Sequence, residues 1–312
     1  MDFQKSRAGD PGTLTRLYNF TRFLVVAVAF LLLAGAAVKT TESGLAVPDW
    51  PLSFGQLMPP MEGGVFYEHG HRMVATAVGA LTIILALWLW VSEPRAWLRN
   101  LGWAALVMVI IQGVLGGVTV LLKLPTAVSA THASVAQAFF MTVTFVALAL
   151  SPGWNREPRP ETSASSSLPR WALATTVALY IQLILGATTR HLNAGLVIPD
   201  APLVFGGLVP PVFTTEIAVH YSHRIGALVV AFLAAATAVV AMRTGRRDLS
   251  RPAWLLVFLV VVQYTLGVVV ILTQRHLHTT NTHLVVGATL LATSLVLTAR
   301  SYRFLRAPGG QA

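Results

Sequence analysis

Eight stretches of the chain are almost wholly apolar, and polar or proline-rich segments separate them. They run Phe20–Val38, Met73–Val91, Leu101–Leu122, Ala133–Leu150, Trp171–Thr189, Ile225–Met242, Ala253–Thr273 and Leu284–Ala299. A bilayer core about 30 Å thick takes about 20 mostly apolar residues as a helix. Lipid offers no partner to an unpaired backbone N–H or C=O, so each stretch is expected to be a helix. The pattern therefore predicts an all-α polytopic membrane protein of eight transmembrane helices.

The pattern also repeats at an offset of about 151 residues. The segment Gly44-Leu-Ala-Val-Pro-Asp-Trp-Pro-Leu-Ser-Phe-Gly55 returns as Gly195-Leu-Val-Ile-Pro-Asp-Ala-Pro-Leu-Val-Phe-Gly206. Pro59-Pro60 returns as Pro210-Pro211, His71-Arg72 as His223-Arg224, Gln112 and Gly116 as Gln263 and Gly267, and Thr131-His132 as Thr282-His283. Matches in one register imply a duplication. Four spans per half leave both halves in the same orientation. The expected form is two tandem four-helix bundles related by a pseudo-two-fold axis along the membrane normal. The sequence divides into an N-terminal arm (1–19), a first repeat (20–150), a linker rich in Ser, Pro and Arg (151–170), a second repeat (171–300) and a tail (301–312).

Composition agrees with this reading: 55% of residues are hydrophobic and 11% charged, against about a quarter charged in soluble domains. A net charge of +10 first suggests nucleic acid, but the basic residues are scattered over short loops, so no nucleic-acid partner is expected. Their distribution reports topology instead. Sixteen of the Lys and Arg residues fall on the side of the two termini and six on the other, which predicts a bacterial inner-membrane protein with both termini cytoplasmic. No cysteine is present, which excludes disulfides, thiolate metal sites and cysteine nucleophiles. The first apolar run continues into a full span and is not read as a signal peptide.

Histidine carries the candidate chemistry. His71 and His132 stand at the starts of the second and fourth spans, and His223 and His283 do so in the second half. These spans run in one direction, so each pair lies at one depth, just below the outer surface. Two facing imidazoles can hold the iron of a flat macrocycle from both sides. A zinc site would want further protein ligands nearby. His69, His191, His220, His276 and His278 break the repeat and read as surface or supporting residues. Arg72 and Arg224 suit a heme propionate, or else anchor at the interface. Glu68 lies three residues before His71 and could relay protons; its repeat partner is His220. The proline-rich loops are expected to be ordered caps, with Asp49 and Asp200 capping turns. Gln112, Gln182 and Gln263 could bond across helix contacts.

These residues together resemble the heme A synthase family of cytochrome c oxidase biogenesis: the Gly44–Gly55 loop with Pro59-Pro60, Glu68-x-x-His71-Arg72, Thr131-His132, His223-Arg224 and Thr282-His283. The resemblance runs from the first span to the last. It implies oxidation of the methyl group of heme O to the formyl group of heme A. It implies heme b on His223 and His283, the substrate heme on His71 and His132, and Glu68 as an essential acid. It further implies heme O synthase and the oxidase assembly machinery as partners, beside membrane lipid and an unidentified electron donor. A homo-oligomer is compatible with it. Many family members carry loop cysteine pairs where this chain has Val47 and Ser53, then Ile198 and Val204, so no redox role for such cysteines is available here. The competing readings are a membrane cytochrome or oxidase assembly factor that binds heme without turnover, and a transporter. The transporter would need polar groups at the bilayer midplane.

Overall fold

A computed structural model describes residues 11–154 and 167–305. The helices are α1 Pro11–Thr40, α2 Gly63–Ser92, α3 Ala96–Leu121, α4 Thr126–Leu150, α5 Leu168–His191, α6 Thr215–Arg243, α7 Arg247–Leu272 and α8 Leu277–Leu305. All eight are long and apolar enough to cross a membrane. A 3₁₀ turn covers Ala194–Leu196, and no strand longer than an isolated bridge occurs among the described residues. Residues 1–10 of the expected arm, 155–166 of the linker and 306–312 of the tail lie outside the described residues.

Several helices start well before their apolar stretches. α1 begins at Pro11 rather than Phe20, α2 at Gly63 rather than Met73, and α6 at Thr215 rather than Ile225. Hydropathy marks where lipid meets the chain, whereas helical hydrogen bonding continues into the polar flanks. The consequence for the site is direct: Glu68, His69 and His71 all lie inside α2, and His220 and His223 inside α6.

The chain divides into two compact units, Met1–Asn155 and Arg156–Ala312. In the first, α1 packs on α2, α2 on α3, α3 on α4, and α4 back on α1. In the second, α5 to α8 close the same ring. Each unit is thus a four-helix bundle in which the second and fourth helices stand diagonally across the interior. Small residues allow close approach without a hydrophobic drive between helices. At Gly102 of α3 an added Cβ would lie 2.8 Å from Leu89 Cδ1 of α2. Hydroxyls add directional bonds in the second unit: Thr175 to Thr237 at 2.8 Å, and Thr176 to Ser294 at 2.7 Å and to Thr298 at 2.8 Å. The outward faces stay apolar, with Phe23, Phe30, Val107, Phe232 and Phe258 all exposed. Lipid is the solvent that tolerates such a surface.

Away from the long loops, each bundle is fastened by an arginine at one repeat position. Arg95 forms a two-pronged pair with buried Glu93 (2.6 and 2.9 Å) and donates to the Ala149 carbonyl of α4. Arg246 pairs with Asp248 at 2.7 Å, and Arg300 of α8 donates to the Asp248 carbonyl.

The long loops at the other end, 41–62 and 192–214, share one internal frame. Asp49 accepts from the Phe54 and Gly55 N–H groups at 2.7 and 2.9 Å; Asp200 accepts from Phe205 and Gly206, both at 2.8 Å. Both turn residues have positive φ, 53° and 69° in the first loop, so the second position needs glycine. The turn-capping role expected of the two aspartates is the one they have. The Gly55 and Phe54 N–H groups hold Asp49 below its ordinary carboxylate pKa, and those of Gly206 and Phe205 do the same for Asp200. A depressed carboxylate pKa gives stabilisation that is present above the unfolded value and lost as pH falls through the folded one. The turns should therefore be unchanged from neutral pH down to about pH 4 and loosen only below it. Hydrogen exchange at the Phe54 and Gly55 amides checks this; loosening between pH 7 and 5 would contradict it.

Loop packing shows one compensated difference between the units. Trp50 lies so close to α3 that a Cβ on Gly117 would come 2.6 Å from the indole. At the matched places the second unit has Ala201 and Val268, small on the loop and larger on the helix.

Candidate functional site

His71 is the ninth residue of α2 and His132 the seventh of α4; His223 and His283 are the ninth of α6 and the seventh of α8. At 1.5 Å rise per residue, each pair lies roughly 12 and 9 Å below the start of its helix. The two helices of a pair run the same way and stand diagonally across their bundle. Each pair thus shares a level near the long-loop end. All four histidines are half-buried.

Each imidazole rests against a glycine of a neighbouring helix. A Cβ on Gly35 of α1 would lie 3.0 Å from His71 Cε1, and one on Gly186 of α5 would lie 2.9 Å from His223 Cε1. For Gly116 against His132 and Gly267 against His283 the distances are 3.5 and 3.4 Å. Gly35 and Gly186 were absent from the sequence reading, although they obey the 151-residue offset. Nothing chemical marks a glycine; only its position against the ring reveals it. Gly35→Ala and Gly186→Ala are expected to displace their histidines and weaken heme binding, whereas Gly116→Ala, in ordinary contact range, should be tolerated. Heme retained on the purified variants measures this, and equal retention in all three would contradict it.

Polar partners on the rings differ between the units. Gln182 Nε2 donates to the His223 carbonyl at 2.7 Å and lies 3.0 Å from His223 Nδ1. Gln263 Nε2 lies 3.2 Å from His283 Nε2. In the first unit, Gln112 reaches only the backbone carbonyl of His132, at 3.0 Å. Nδ1 of His71, His132 and His283 is buried with no protein partner. Among the described residues, no group of three or more His, Cys, Asp or Glu comes together as a metal cage. Paired imidazoles at one level, each beside a glycine and three of them with a buried unpartnered Nδ1, suit a flat macrocycle better than a compact ion.

Glu68 is 4% exposed and sits between the loop and its own helix. Its Oε2 accepts the Val47 N–H at 2.8 Å, and its Oε1 pairs with Arg72 at 2.6 Å. Arg72 also donates to the Asp49, Leu52 and Val47 carbonyls. Its two terminal nitrogens thus make four bonds within the protein. In this arrangement the Arg72 guanidinium clamps the loop. Arg224 does likewise, donating to the Asp200, Leu203 and Ile198 carbonyls, with its Nε 3.3 Å from His220 Nε2.

His220, in the place matched to Glu68, is 4% exposed, and His69 is 6% exposed with Nδ1 2.8 Å from Ser53 Oγ. Of the two roles the sequence left open, surface or supporting, burial excludes the surface one for both, because α2 and α6 start early enough to bury them beneath the loops. His276 and His278 are exposed, as expected, with ring centroids 5.4 Å apart. Val47, Ser53, Ile198 and Val204, where many relatives of the resembled family carry cysteines, are all buried.

The chain is similar to known proteins. The model of a family described as cytochrome oxidase assembly protein matches residues 62–295. A heme A synthase of Symbiobacterium thermophilum is 33% identical, with 80% of this chain and 87% of that protein covered. Heme A synthases of Shouchella clausii (31%; 80% and 84%) and Geobacillus kaustophilus (29%; 93% and 92%) are similar over comparable lengths. With eight membrane-spanning helices, paired histidines and a family match that spans both bundles, the chain belongs to the cytochrome oxidase assembly family that contains the bacterial heme A synthases.

Proposed function

We propose that this protein is a heme A synthase, a membrane oxidoreductase that converts the methyl group of heme O to the formyl group of heme A for cytochrome c oxidase biogenesis. The first bundle takes the substrate heme between His71 and His132. The second keeps heme b between His223 and His283. The observation that carries this reading is the repeated pair of half-buried histidines, diagonal at one level and resting on glycines, in a chain of this family. A bound heme would supply the iron centre through which an external oxidant removes the four electrons lost as the methyl becomes a formyl group.

The chain's own residues bind, orient and seal. His71 and His132 orient the macrocycle across the first bundle. The loop fastened by Arg72 closes the end above them. Glu68 Oε1 and Oε2 already accept hydrogen bonds, and each keeps a further lone pair, so the carboxylate can take a proton one helical turn from His71. His220 stands at the matched place, so the two bundles differ in the group one turn before the histidine, and the carboxylate favours the first bundle for the chemistry. The termini lie in the cytoplasm, the loops outside, and heme O synthase supplies the substrate.

The test is co-expression with a heme O synthase in a host lacking heme A, followed by chromatography of extracted hemes. Heme A should appear with the native chain and vanish with Glu68→Ala and His71→Ala. Bound heme b with heme O left unconverted, despite oxygen and reductant, would favour a heme-binding assembly factor without turnover.

A further inference from the structure

A groove of about 470 Å³ opens on the second bundle between α5 and α8. Arg170 and Tyr302 stand at one end, and Ala174, Val177, Ala178 and Ile181 line its length. Arg170 is the third residue of α5, so that end lies on the side of the chain termini. The eleven residues from Arg170 to Ile181 rise about 16 Å along the helix, half of a bilayer core about 30 Å thick. The groove therefore spans one leaflet. The first bundle differs at the same places: Asn19 replaces Arg170, Phe23 replaces Ala174, Phe30 replaces Ile181 and Ser151 replaces Tyr302. Arg22, one turn from Asn19, is set over the Tyr18 ring at 5.5 Å. The cation, the small side chain and the phenol are thus missing together. Other arginines at this end are committed to the protein: Arg95 to Glu93, Arg246 to Asp248 and Arg300 to the Asp248 carbonyl. The Arg170 guanidinium makes no ion pair or side-chain hydrogen bond among the described residues.

The geometry points to a binding site for one anionic phospholipid of the leaflet on the side of the termini, its phosphate on Arg170 and one acyl chain along Ala174, Ala178 and Ile181. A guanidinium can give a phosphate two parallel N–H bonds. Tyrosine rings settle at headgroup level, with the apolar body inward and the hydroxyl toward water. A chain lying between α5 and α8 touches two walls, where a lipid on a convex helix face touches one, and each added contact contributes dispersion attraction. A polyprenyl quinone could fill the same apolar length, but its neutral head leaves the Arg170 charge without a counter-charge. The site is independent of heme: it belongs to the outer face of α5, and it is present whether the protein turns over heme O or only binds heme.

The test uses the full-length chain in mild detergent and counts bound lipids by native mass spectrometry. Phosphatidylglycerol and phosphatidylcholine with identical acyl chains are the probes. One phosphatidylglycerol should be retained at a concentration at least about fivefold below that needed for phosphatidylcholine, the factor expected for one basic residue near an anionic headgroup. Arg170→Ala should abolish that preference, and Arg170→Lys should keep most of it. Ala174→Phe, which places in the groove the side chain the first bundle has there, should weaken retention of both lipids. A phosphatidylglycerol with a photoreactive acyl chain should label α5 between residues 174 and 181 in the native protein.

Equal retention of the two lipids by the native chain would overturn the inference, as would a preference that survives both Arg170→Ala and Ala174→Phe. If those variants fail to fold, labelling of the native chain decides, and label placed on other helices overturns it. Displacement of the bound phosphatidylglycerol by an equimolar polyprenyl quinone would assign the groove to a quinone instead. None of these outcomes bears on heme A formation, so the enzyme reading stands or falls separately.

Discussion

Purified His223→Ala is expected to lose its bound heme b, while His71→Ala keeps it and makes no heme A. The two substitutions remove the same atoms at matched places, so their difference isolates what each bundle does. In the second bundle the site is proposed to hold heme b. Deleting a ligand there removes a bond to iron itself, and the loss should exceed the roughly 10–100-fold that follows from removing a residue behind a ligand. In the first bundle the loss of the ring should appear in turnover. The check is heme per protein by absorbance, beside heme A by chromatography. Retention of heme b by His223→Ala together with its loss from His71→Ala would reverse the assignment of the halves.

Arg72→Ala is expected to be the most destabilising single change at the long-loop end. It strands the Glu68 carboxylate, 4% exposed, and removes the donor from three loop carbonyls. Breaking a buried ion pair from one side costs about 3–5 kcal/mol. Against a total stability of about 5–15 kcal/mol, that threatens folding. Arg224→Ala removes similar carbonyl contacts but leaves a histidine rather than a carboxylate, so its cost should be nearer that of lost hydrogen bonds, about 1–3 kcal/mol. Adding Glu68→Gln to Arg72→Ala should recover part of the loss, since an amide carries no charge to strand. Thermal unfolding in detergent measures all four proteins. Equal losses for Arg72→Ala and Arg224→Ala would show that the buried charge is not what makes the first loop sensitive.

The eight spans were legible because lipid imposes one requirement, a run of apolar residues in a self-satisfied helix, and local composition reports it. The repeat was legible because matching residues recur in one register, and with it came the four histidines, Glu68 and its pairing with His220. Helix starts were not, because hydropathy falls at the membrane edge while helical hydrogen bonding does not. That difference left His69 and His220 open between surface and supporting roles, which burial decides.

By itself, then, the sequence determined the class of protein, its duplication and the candidate histidines, since each depends on composition or on spacing along one chain. Only the tertiary structure decided what those residues touch. Arg72 proved to be committed to the loop and Glu68 to Arg72 and the Val47 N–H, because carbonyls more than twenty residues upstream fold back over α2. Gly35 and Gly186 proved to be the walls behind His71 and His223, and Gln182 a donor to the His223 carbonyl that the first bundle lacks at Leu31. Such contacts join helices that the chain order separates, and no local pattern encodes the distance between them.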